Sequence, residues 1–172
     1  MTESFTKPRL ILTVGLSRSG KSTYLRNLGI PTVCPDEVRR YLGCFPFKAD
    51  MESEVWKIVR VMVNCLFASG AQRVALDATN TRMARRNEWR SPDMWLRDFY
   101  YFDTSREECQ RRAVEGGNDY LVPVIDRMAD HFEPVTSMEL LEGESWTDVR
   151  TGMNVISTCE KFWRNQIGVP YS

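Results

Sequence analysis

Residues 15–22 read GLSRSGKS and match the pattern G-x-x-x-x-G-K-[ST], in which glycines, a lysine and a hydroxyl have fixed spacing. The segment follows an apolar run and precedes a helical pattern, which is the context in which this pattern binds phosphates. Glycines let backbone amides approach a phosphate closely, and the start of the following helix adds partial positive charge. Lys21 can reach the β- and γ-phosphates of a nucleotide, and the Ser22 hydroxyl can ligate Mg²⁺. We therefore predict ATP and Mg²⁺ as cofactors, with the nucleotide held by Gly15, Ser17, Ser19, Gly20, Lys21, Ser22 and Thr23.

A carboxylate and an arginine follow the second predicted strand, at Asp36 and Arg39. Residues just beyond the carboxyl ends of strands in an open α/β sheet face the ligand crevice, so Asp36 should lie opposite the phosphate loop. A carboxylate there can accept the proton of an attacking hydroxyl, as the base in phosphoryl transfer does. Arg39 lies one helical turn further and can bind an acceptor phosphate or the transferring group. The alternative is that Asp36 only caps the helix and Arg39 is solvated.

Three further polar residues follow the third predicted strand, and they are Asp77, Thr79 and Asn80. Asp77 comes directly after an apolar run, so it resembles the acidic residue that orients hydrated Mg²⁺ at the end of a buried strand. Thr79 and Asn80 suit an acceptor pocket, and they also suit a helix cap, because short polar side chains accept hydrogen bonds from free amides at a helix start. We predict Asp77 as a metal ligand acting through water and the other two as acceptor-binding residues.

Arginines cluster on two predicted helices. Arg82 and Arg86 are four residues apart, share a helix face and are predicted to bind acceptor phosphates. Arg111 and Arg112 precede a Gly-Gly pair, and a basic helix followed by a glycine hinge suits a lid that closes over ATP phosphates. We assign these two arginines to stabilising charge on the transferring phosphoryl group, and Arg127 to ATP. The alternative for each is an ordinary solvated arginine.

Apolar runs alternate with helical patterns along the chain, which is typical of an α/β fold with a parallel sheet covered by helices. The predicted strands are residues 10–14, 32–34, 73–77, 98–102 and 146–150. The predicted helices are residues 21–28, 36–42, 50–69, 81–89, 107–114, 123–132 and 154–165. The helix at 50–69 has the clearest pattern, because apolar residues recur at every third or fourth position. The tryptophans and the aromatic residues at 100–102 are assigned to the core.

Composition restricts the class of protein. The chain has 172 residues with 23 basic and 23 acidic side chains, so bulk charge does not attract it to nucleic acid or to an anionic membrane, and any basic site is local. No stretch approaches the roughly 20 apolar residues of a transmembrane helix, and the first residues lack the apolar run of a signal peptide. Five cysteines without Cys-x-x-Cys spacing and a single histidine argue against a zinc site and favour free thiols in a reducing cytoplasm.

Five segments occur in an order that is typical of one enzyme family, and they read ILTVGLSRSGKSTYL, PDEVRRYL, LDATNTRMARRNEW, YFDTSREECQRR and VPVIDRMADHFEP. Together they resemble the small P-loop kinases related to the 5′-hydroxyl kinase domain of bacteriophage polynucleotide kinase, over residues 10–134. The resemblance implies that Lys21 and Ser22 bind ATP. It also implies that Asp36 is the general base and that Arg39 contacts the acceptor phosphate, while Arg112 matches an arginine at the start of the family's lid.

Two departures from the family pattern concern the lid and the end of the third strand. The family's lid has a second arginine just after the first, whereas this sequence has Glu-Gly-Gly at 115–117, and Arg111 is the candidate substitute. The phage enzyme has its strand-end aspartate adjacent to Thr-Asn, whereas here Ala78 lies between Asp77 and Thr79. Small relatives share the Asp-Ala-Thr-Asn form, which leaves the acceptor open.

The resemblance implies an α/β P-loop kinase fold, with a parallel sheet flanked by helices on both faces and a helical lid at residues 111–123. We expect one kinase domain over residues 1–172, with its core at 9–134 and a C-terminal segment at 135–172 of unassigned role. The expected activity is transfer of the ATP γ-phosphate to a polynucleotide 5′-hydroxyl, with DNA or RNA as the partner, in a phage- or bacteria-type host cytoplasm. A kinase of hydroxymethyl pyrimidine bases in phage DNA, a small-metabolite kinase and a non-catalytic ATP-dependent switch remain alternatives.

Overall fold

A computed structural model describes residues 7–45 and 47–157 of the chain. In these described residues six strands, β1 to β6, form one sheet, and they are Arg9–Val14, Thr32–Val33, Arg73–Leu76, Leu96–Tyr101, Ser145–Asp148 and Asn154–Ile156. The same residues form six α-helices, α1 to α6, which are Lys21–Leu28, Pro35–Tyr41, Glu52–Ala68, Met83–Asn87, Arg106–Glu115 and Val122–Asp130. Short 3₁₀-helices are formed by Ala49–Met51, Asp119–Leu121 and Ser137–Glu139.

The sheet has the strand order β2-β3-β1-β4-β5-β6. Neighbouring strands from β2 to β5 are parallel, and β6 pairs antiparallel with β5. β1 is central, with Leu12 opposite Leu76 of β3 on one side and Phe99 of β4 on the other. Because parallel strands end at the same edge of a sheet, the loops that follow β1, β2 and β3 lie next to one another there. The predicted α/β fold with a largely parallel sheet is confirmed.

Helices cover both faces of the sheet, because side chains alternate between the two faces along a strand. Leu10 and Leu12 of β1 are fully buried in an apolar cluster that includes Val59 of α3. Ile11, between them, packs on the opposite side with Leu25 of α1. A third, smaller cluster joins α5 and α6 beside the phosphate loop, and it contains Leu16, Cys109, Ala113 and Ile125. The three clusters therefore fix the phosphate loop and the ends of β1 to β3 from both sides.

Two predicted elements need correction. The helix predicted at 81–89 is shorter and spans Met83–Asn87. The free amide of Met83 in its first turn donates a hydrogen bond to the carboxylate of Glu133, which lies after α6. The helix predicted at 154–165 is wrong over its first residues, which form β6 along the edge of β5. The remainder of that prediction, from residue 158, lies outside the described residues.

A buried ion pair attaches the segment after residue 134 to the sheet. The Arg97 Nε and Nη2 atoms donate to the two Glu144 carboxylate oxygens at 2.7 and 2.6 Å. Neither side chain is more than 2% exposed. A buried charge is tolerated only when it is paired and hydrogen-bonded, so this contact holds the loop before β5 against β4. Residues 135–157, to which the sequence assigns no role, are therefore part of the packed domain.

No helix in the described ranges is long and apolar enough to span a membrane. Four cysteines in those ranges are free thiols, and they are Cys34, Cys44, Cys65 and Cys109. Cys159 lies outside the described residues.

Candidate active site

The phosphate loop follows β1 and lines a cavity of about 1030 Å³. Its contributions to the lining are Ser17, Arg18, Gly20, Lys21, Ser22 and Thr23. Helix α1 begins directly after Gly20, whose φ of 104° lies in the left-handed region that glycine tolerates. The amino-terminal end of α1 therefore opens onto the cavity, where its free amides and partial positive charge suit a phosphate.

The predicted nucleotide ligands Gly15 and Ser19 shape the loop from behind, and neither belongs to the described lining of the cavity. A Cβ on Gly15 would lie 2.9 Å from Ser19 Oγ and 3.0 Å from Phe102 Cβ, so only glycine fits between the loop and the end of β4. The Gly15 amide donates to the Thr79 carbonyl at 3.0 Å, which ties the loop to the end of β3. Both residues thus hold the backbone in the conformation that the phosphate site needs.

Lys21 is buried, and its ammonium group bonds within the loop. Its Nζ donates to the Gly15 carbonyl at 3.1 Å and to Ser19 Oγ at 3.3 Å. Burial lowers the pKa of Lys21 to about 8, although the charges of Asp77 and Asp36 act in the opposite direction. A phosphate chain beside this group stabilises its protonated form, because an opposite charge favours the ionised state.

Nucleotide binding should therefore take up a proton in alkaline solution. With a pKa of about 8, roughly three quarters of the free protein lacks the Lys21 proton at pH 8.5, and ATP restores it. Calorimetric titration of ATP in buffers of different ionisation enthalpy measures this uptake. At pH 7.0, where Lys21 already holds its proton, the same titration should show almost none. Binding without proton uptake at pH 8.5 would contradict the assignment of Lys21 to the phosphates.

Ser22 and Asp77 supply a hydroxyl and a carboxylate to the same cavity. Asp77 follows β3 directly, and its amide donates to the Val33 carbonyl of β2 at 2.9 Å. Hydroxyl and carboxylate oxygens are the hard ligands that Mg²⁺ prefers, and Mg²⁺ is usually held by one or two protein groups together with substrate phosphates. The donor set therefore fits this ion, which would neutralise negative charge on the phosphates of a bound nucleotide.

Asp36 lies on the wall of the cavity that α2 forms, and its side chain is 58% exposed. The helix begins with Pro35 and has no side-chain cap, so the alternative that Asp36 only caps the helix is wrong. Its Oδ1 accepts a hydrogen bond from Arg39 Nη1 at 2.5 Å. The other carboxylate oxygen has no bond to a described residue, which leaves it open to the cavity.

Arg39 is held by Glu52, a residue that the sequence gave no reason to select. Its Nε and Nη2 atoms donate to the two Glu52 oxygens at 2.7 and 2.8 Å, and Trp56 Nε1 donates to the same carboxylate at 3.2 Å. These hydrogen bonds between the two side chains raise the pKa of Arg39 and lower the pKa of Glu52. Arg39 is only 14% exposed, so the alternative that it is a solvated side chain is also wrong.

The two predicted acceptor-binding residues at the end of β3, Thr79 and Asn80, lie in different environments. Thr79 lines the cavity, whereas Asn80 is buried with φ at 43° and its Nδ2 donates to the Thr13 carbonyl at 2.9 Å. Neither side chain caps α4, so the predicted cap is wrong as well. Asn80 fastens the end of β3 to β1, and its assignment to acceptor binding needs correction because its side chain faces the interior.

The predicted acceptor-binding arginines, one just before α4 and one on it, do not belong to the described lining of the cavity. Arg86 is fully buried and donates to both Glu139 oxygens at 2.8 Å, and also to the carbonyls of Asn80 and Glu133 at 2.9 Å. Arg82 pairs with Glu133 at 3.3 Å on the surface. The structure therefore contradicts both assignments, because the charges that face these arginines come from a later segment of the chain.

The lid arginines are engaged by carboxylates of their own helix. Arg112 lines the cavity, and its Nε donates to Glu108 at 2.6 Å while its Nη1 donates to the Arg18 carbonyl at 3.3 Å. Arg111 is outside the described lining and pairs with Glu108 and Glu115. These two arginines lower the pKa of Glu108 to about 2. The expectation that Arg111 substitutes for a second lid arginine is contradicted by this placement.

Arg127 lies on α6 and lines the cavity, as predicted for an ATP contact. The sequence did not identify the aromatic and basic residues at the acceptor end, and they are Arg40, Phe45, Phe47 and Trp56. Phe47 is 65% exposed, and the guanidinium of Arg40 lies 4.9 Å from the ring centre of Phe45. The residues around Phe45 follow α2 without periodicity, so no pattern in the sequence indicates them. Trp56 packs against the main apolar cluster, as its predicted core assignment requires, and it also lines the cavity.

Solved structures with a similar fold include chains in two structures of the Pnkp1/Rnl/Hen1 complex. In the structure of the Pnkp1/Rnl/Hen1 complex, the similar chain is 25% identical with a TM-score of 0.57, and the match covers 65% of this chain and 41% of that one. In the structure of the Pnkp1/Rnl/Hen1 RNA repair complex, identity is 16% and the TM-score 0.59, with 94% of this chain and 52% of the other covered. The chain thus spans about half or less of the length of these relatives.

A sugar kinase from Janibacter sp. HTCC2649 is 13% identical with a TM-score of 0.58, and the match covers 84% of this chain and 87% of that one. No curated protein matches the chain. A family model described as an AAA domain matches residues 10–135, a span that holds the phosphate loop, the strand-end carboxylates and the lid arginines. The chain therefore belongs to this AAA domain family, and it has the fold of a P-loop kinase.

Proposed function

We propose that the chain is a kinase that moves the γ-phosphate of ATP to a hydroxyl of a nucleic acid, most simply the 5′-hydroxyl of a polynucleotide. One observation carries the proposal: the open carboxylate of Asp36 and the buried ammonium of Lys21 face one cavity from different elements. A switch or binding module needs the phosphate loop but has no use for a carboxylate fixed opposite it. An acceptor hydroxyl between the two groups would have a proton acceptor on one side and a phosphate on the other.

The transfer is a single displacement. The acceptor oxygen forms a bond to the γ-phosphorus, its proton passes to Asp36, and the bond from phosphorus to the β,γ-bridging oxygen breaks to release ADP. Lys21 and the loop amides stabilise negative charge on the phosphates, and Arg39 keeps the Asp36 carboxylate in place. Ser22 and Asp77 would hold Mg²⁺ beside the same phosphates. Arg112 of α5 and Arg127 of α6 line the same cavity and are proposed to contact ATP from the lid side.

The acceptor end of the cavity supports a nucleic acid. Phe45, Phe47 and Trp56 line this end, and Phe47, which is 65% exposed, offers an aromatic face on which a base can stack. The guanidinium of Arg40 lies over the ring of Phe45 and adds a positive charge there, and that of Arg85 lies over the ring of Trp56. Aromatic faces combined with arginine are the usual means by which proteins hold single-stranded nucleic acid. The likeness to chains of the Pnkp1/Rnl/Hen1 RNA repair complex supports the same proposal. The same aromatic wall also suits a pyrimidine base extruded from DNA. We place the activity in a reducing cytoplasm, consistent with the free thiols.

A small-metabolite kinase is the second candidate, and one contact favours it. Both Glu52 oxygens bind Arg39, so the forked face of this guanidinium is occupied and an acceptor phosphate would have to displace a carboxylate. A neutral sugar or nucleoside hydroxyl would need no such displacement.

A transfer screen with γ-labelled ATP separates these possibilities. The acceptors are a 5′-hydroxyl DNA or RNA oligonucleotide, the same oligonucleotide with a 5′-phosphate, duplex DNA with hydroxymethyl pyrimidines, free nucleosides and sugars. We expect label in the 5′-hydroxyl oligonucleotide and none in its 5′-phosphorylated counterpart, because only the former offers the attacking group. Label confined to hydroxymethyl DNA or to sugars would assign the chain to those acceptors and overturn the polynucleotide proposal. Binding of ATP without any labelled product would favour a switch.

A further inference from the structure

The arginines around the phosphate end of the cavity differ in how far their charge is already balanced. Arg112 shares the Glu108 carboxylate with Arg111, and Arg26 bonds to Thr23. Arg18 and Arg127 line the cavity, and neither guanidinium has a bond to a carboxylate among the described residues. Negative charge that develops on a phosphoryl group in transit is stabilised best by cations that are not already neutralised. Of Arg18 and Arg127, only Arg18 belongs to the phosphate loop, whereas Arg127 lies on α6.

The position of Arg18 fits that role. It lies three residues before Lys21, in a loop of the kind whose backbone amides surround bound phosphates. Its Nη1 lies 3.6 Å from the point where a Cβ on Gly116 would be, so the side chain extends over the turn that ends α5. Its carbonyl accepts the hydrogen bond from Arg112 Nη1. Arg18 therefore connects the phosphate loop to the end of α5. Its guanidinium lies beside Gly116, next to the space that a side chain at that position would occupy.

The backbone of Arg18 gives a second, independent observation. Its φ is 66°, in the left-handed region. Arginine adopts this conformation only at an energetic cost, whereas glycine adopts it without one. Loop neighbours impose the conformation, since the Ser19 amide donates to the Leu16 carbonyl at 3.2 Å across this residue. A glycine would satisfy the turn with less strain, so the turn itself does not call for this long cationic side chain. Strain of this kind clusters at functional sites.

We propose that Arg18 is a further catalytic residue, whose guanidinium contacts the γ-phosphoryl group of ATP as this group passes to the acceptor. The inference rests on the proposed kinase activity and adds no step to it. Bonds form and break as above, while Arg18 keeps its protons and stabilises charge on the equatorial phosphoryl oxygens. It supplies from the phosphate loop a charge that Arg111, paired with Glu108 and Glu115, does not bring into the cavity.

The test compares ATP with ADP, because only ATP has the γ-phosphate. For Arg18→Gln we expect an unchanged Kd for ADP, a Kd for ATP raised about tenfold, and kcat lowered about 10²-fold. Arg18→Lys should recover part of both losses, since it restores a charge without the planar fork. The matched control is Arg73→Gln, at the start of β3 on the opposite edge of the sheet, which should leave all three values unchanged. Thermal unfolding of each variant checks that the fold is intact.

The binding readout separates this inference from the proposed acceptor. Loss of the preference for ATP over ADP in Arg18→Gln supports the γ-phosphate contact even if no oligonucleotide is labelled, in which case the polynucleotide proposal fails alone. If oligonucleotides are labelled and Arg18→Gln keeps both the wild-type ATP preference and kcat, the inference about Arg18 is overturned and the proposed function stands.

Discussion

The Asp36→Asn variant is expected to transfer phosphate about 10²–10⁴-fold more slowly than the wild type, while its Kd for ATP stays the same. Asparagine has the size of aspartate, and its amide oxygen can still accept the bond that Arg39 Nη1 donates. The geometry of the wall is therefore kept, while the ability to accept a proton is removed together with one negative charge. Single-turnover transfer to the best acceptor of the screen, together with ATP titration, measures the two quantities separately.

Glu37 provides the control for this substitution. It is the next residue of α2, it is exposed, and it is absent from the described lining of the cavity, so Glu37→Gln removes the same charge from the same helix turn without touching the site. We expect that variant to transfer phosphate at the wild-type rate. Equal rates for Asp36→Asn and wild type would remove Asp36 from the mechanism, because transfer would then proceed without its carboxylate.

Loss of the buried pair between Arg86 and Glu139 should have the largest effect on stability. For Glu139→Gln we expect the free energy of unfolding to fall by about 3–5 kcal/mol, because an arginine that is fully buried loses its counter-charge. Urea unfolding followed by circular dichroism measures the change. The double variant Arg86→Met/Glu139→Leu should recover much of the loss, since two apolar side chains leave no unpaired charge in the interior.

An exposed ion pair of the same helix serves as the comparison. Arg85 and Glu88 pair at 2.9 Å with nearly half of each side chain exposed, so Glu88→Gln should change the free energy of unfolding by less than about 1 kcal/mol. If Glu139→Gln is as mild as Glu88→Gln, water reaches Arg86 in solution, and the segment after residue 134 packs only loosely on α4.

The features that sequence patterns predicted well are those encoded by local spacing. The phosphate loop needs only the eight residues that form it, and α1 occupies the predicted residues 21–28. The approach of Asp36 and Asp77 to Lys21 also follows from a general rule, since parallel strands end at one edge. Both features therefore lie where the pattern placed them, and their catalytic roles stay predictions.

The arginines were harder to place, because the partner decides whether an arginine is solvated, buried or catalytic. Arg86 looks like part of a solvated basic helix until Glu139, 53 residues later, folds against it. Arg111 differs, since Glu108 and Glu115 at spacings of three and four were visible in the sequence and indicate local ion pairs. Arg18 sits in a loop without periodicity, and only the three-dimensional course of the loop shows that it lines the cavity.

The buried carboxylates Glu139 and Glu144 have a consequence for where the domain can be cut. A fragment ending at residue 135 would retain the whole family-matched region and every residue of the candidate site. It would nevertheless leave Arg86 and Arg97 in the interior as unneutralised cations and would expose the β4 edge that β5 covers. The smallest autonomous folding unit is therefore longer than the region by which relatives are recognised, and truncation at residue 135 would disrupt the site without removing any of its residues.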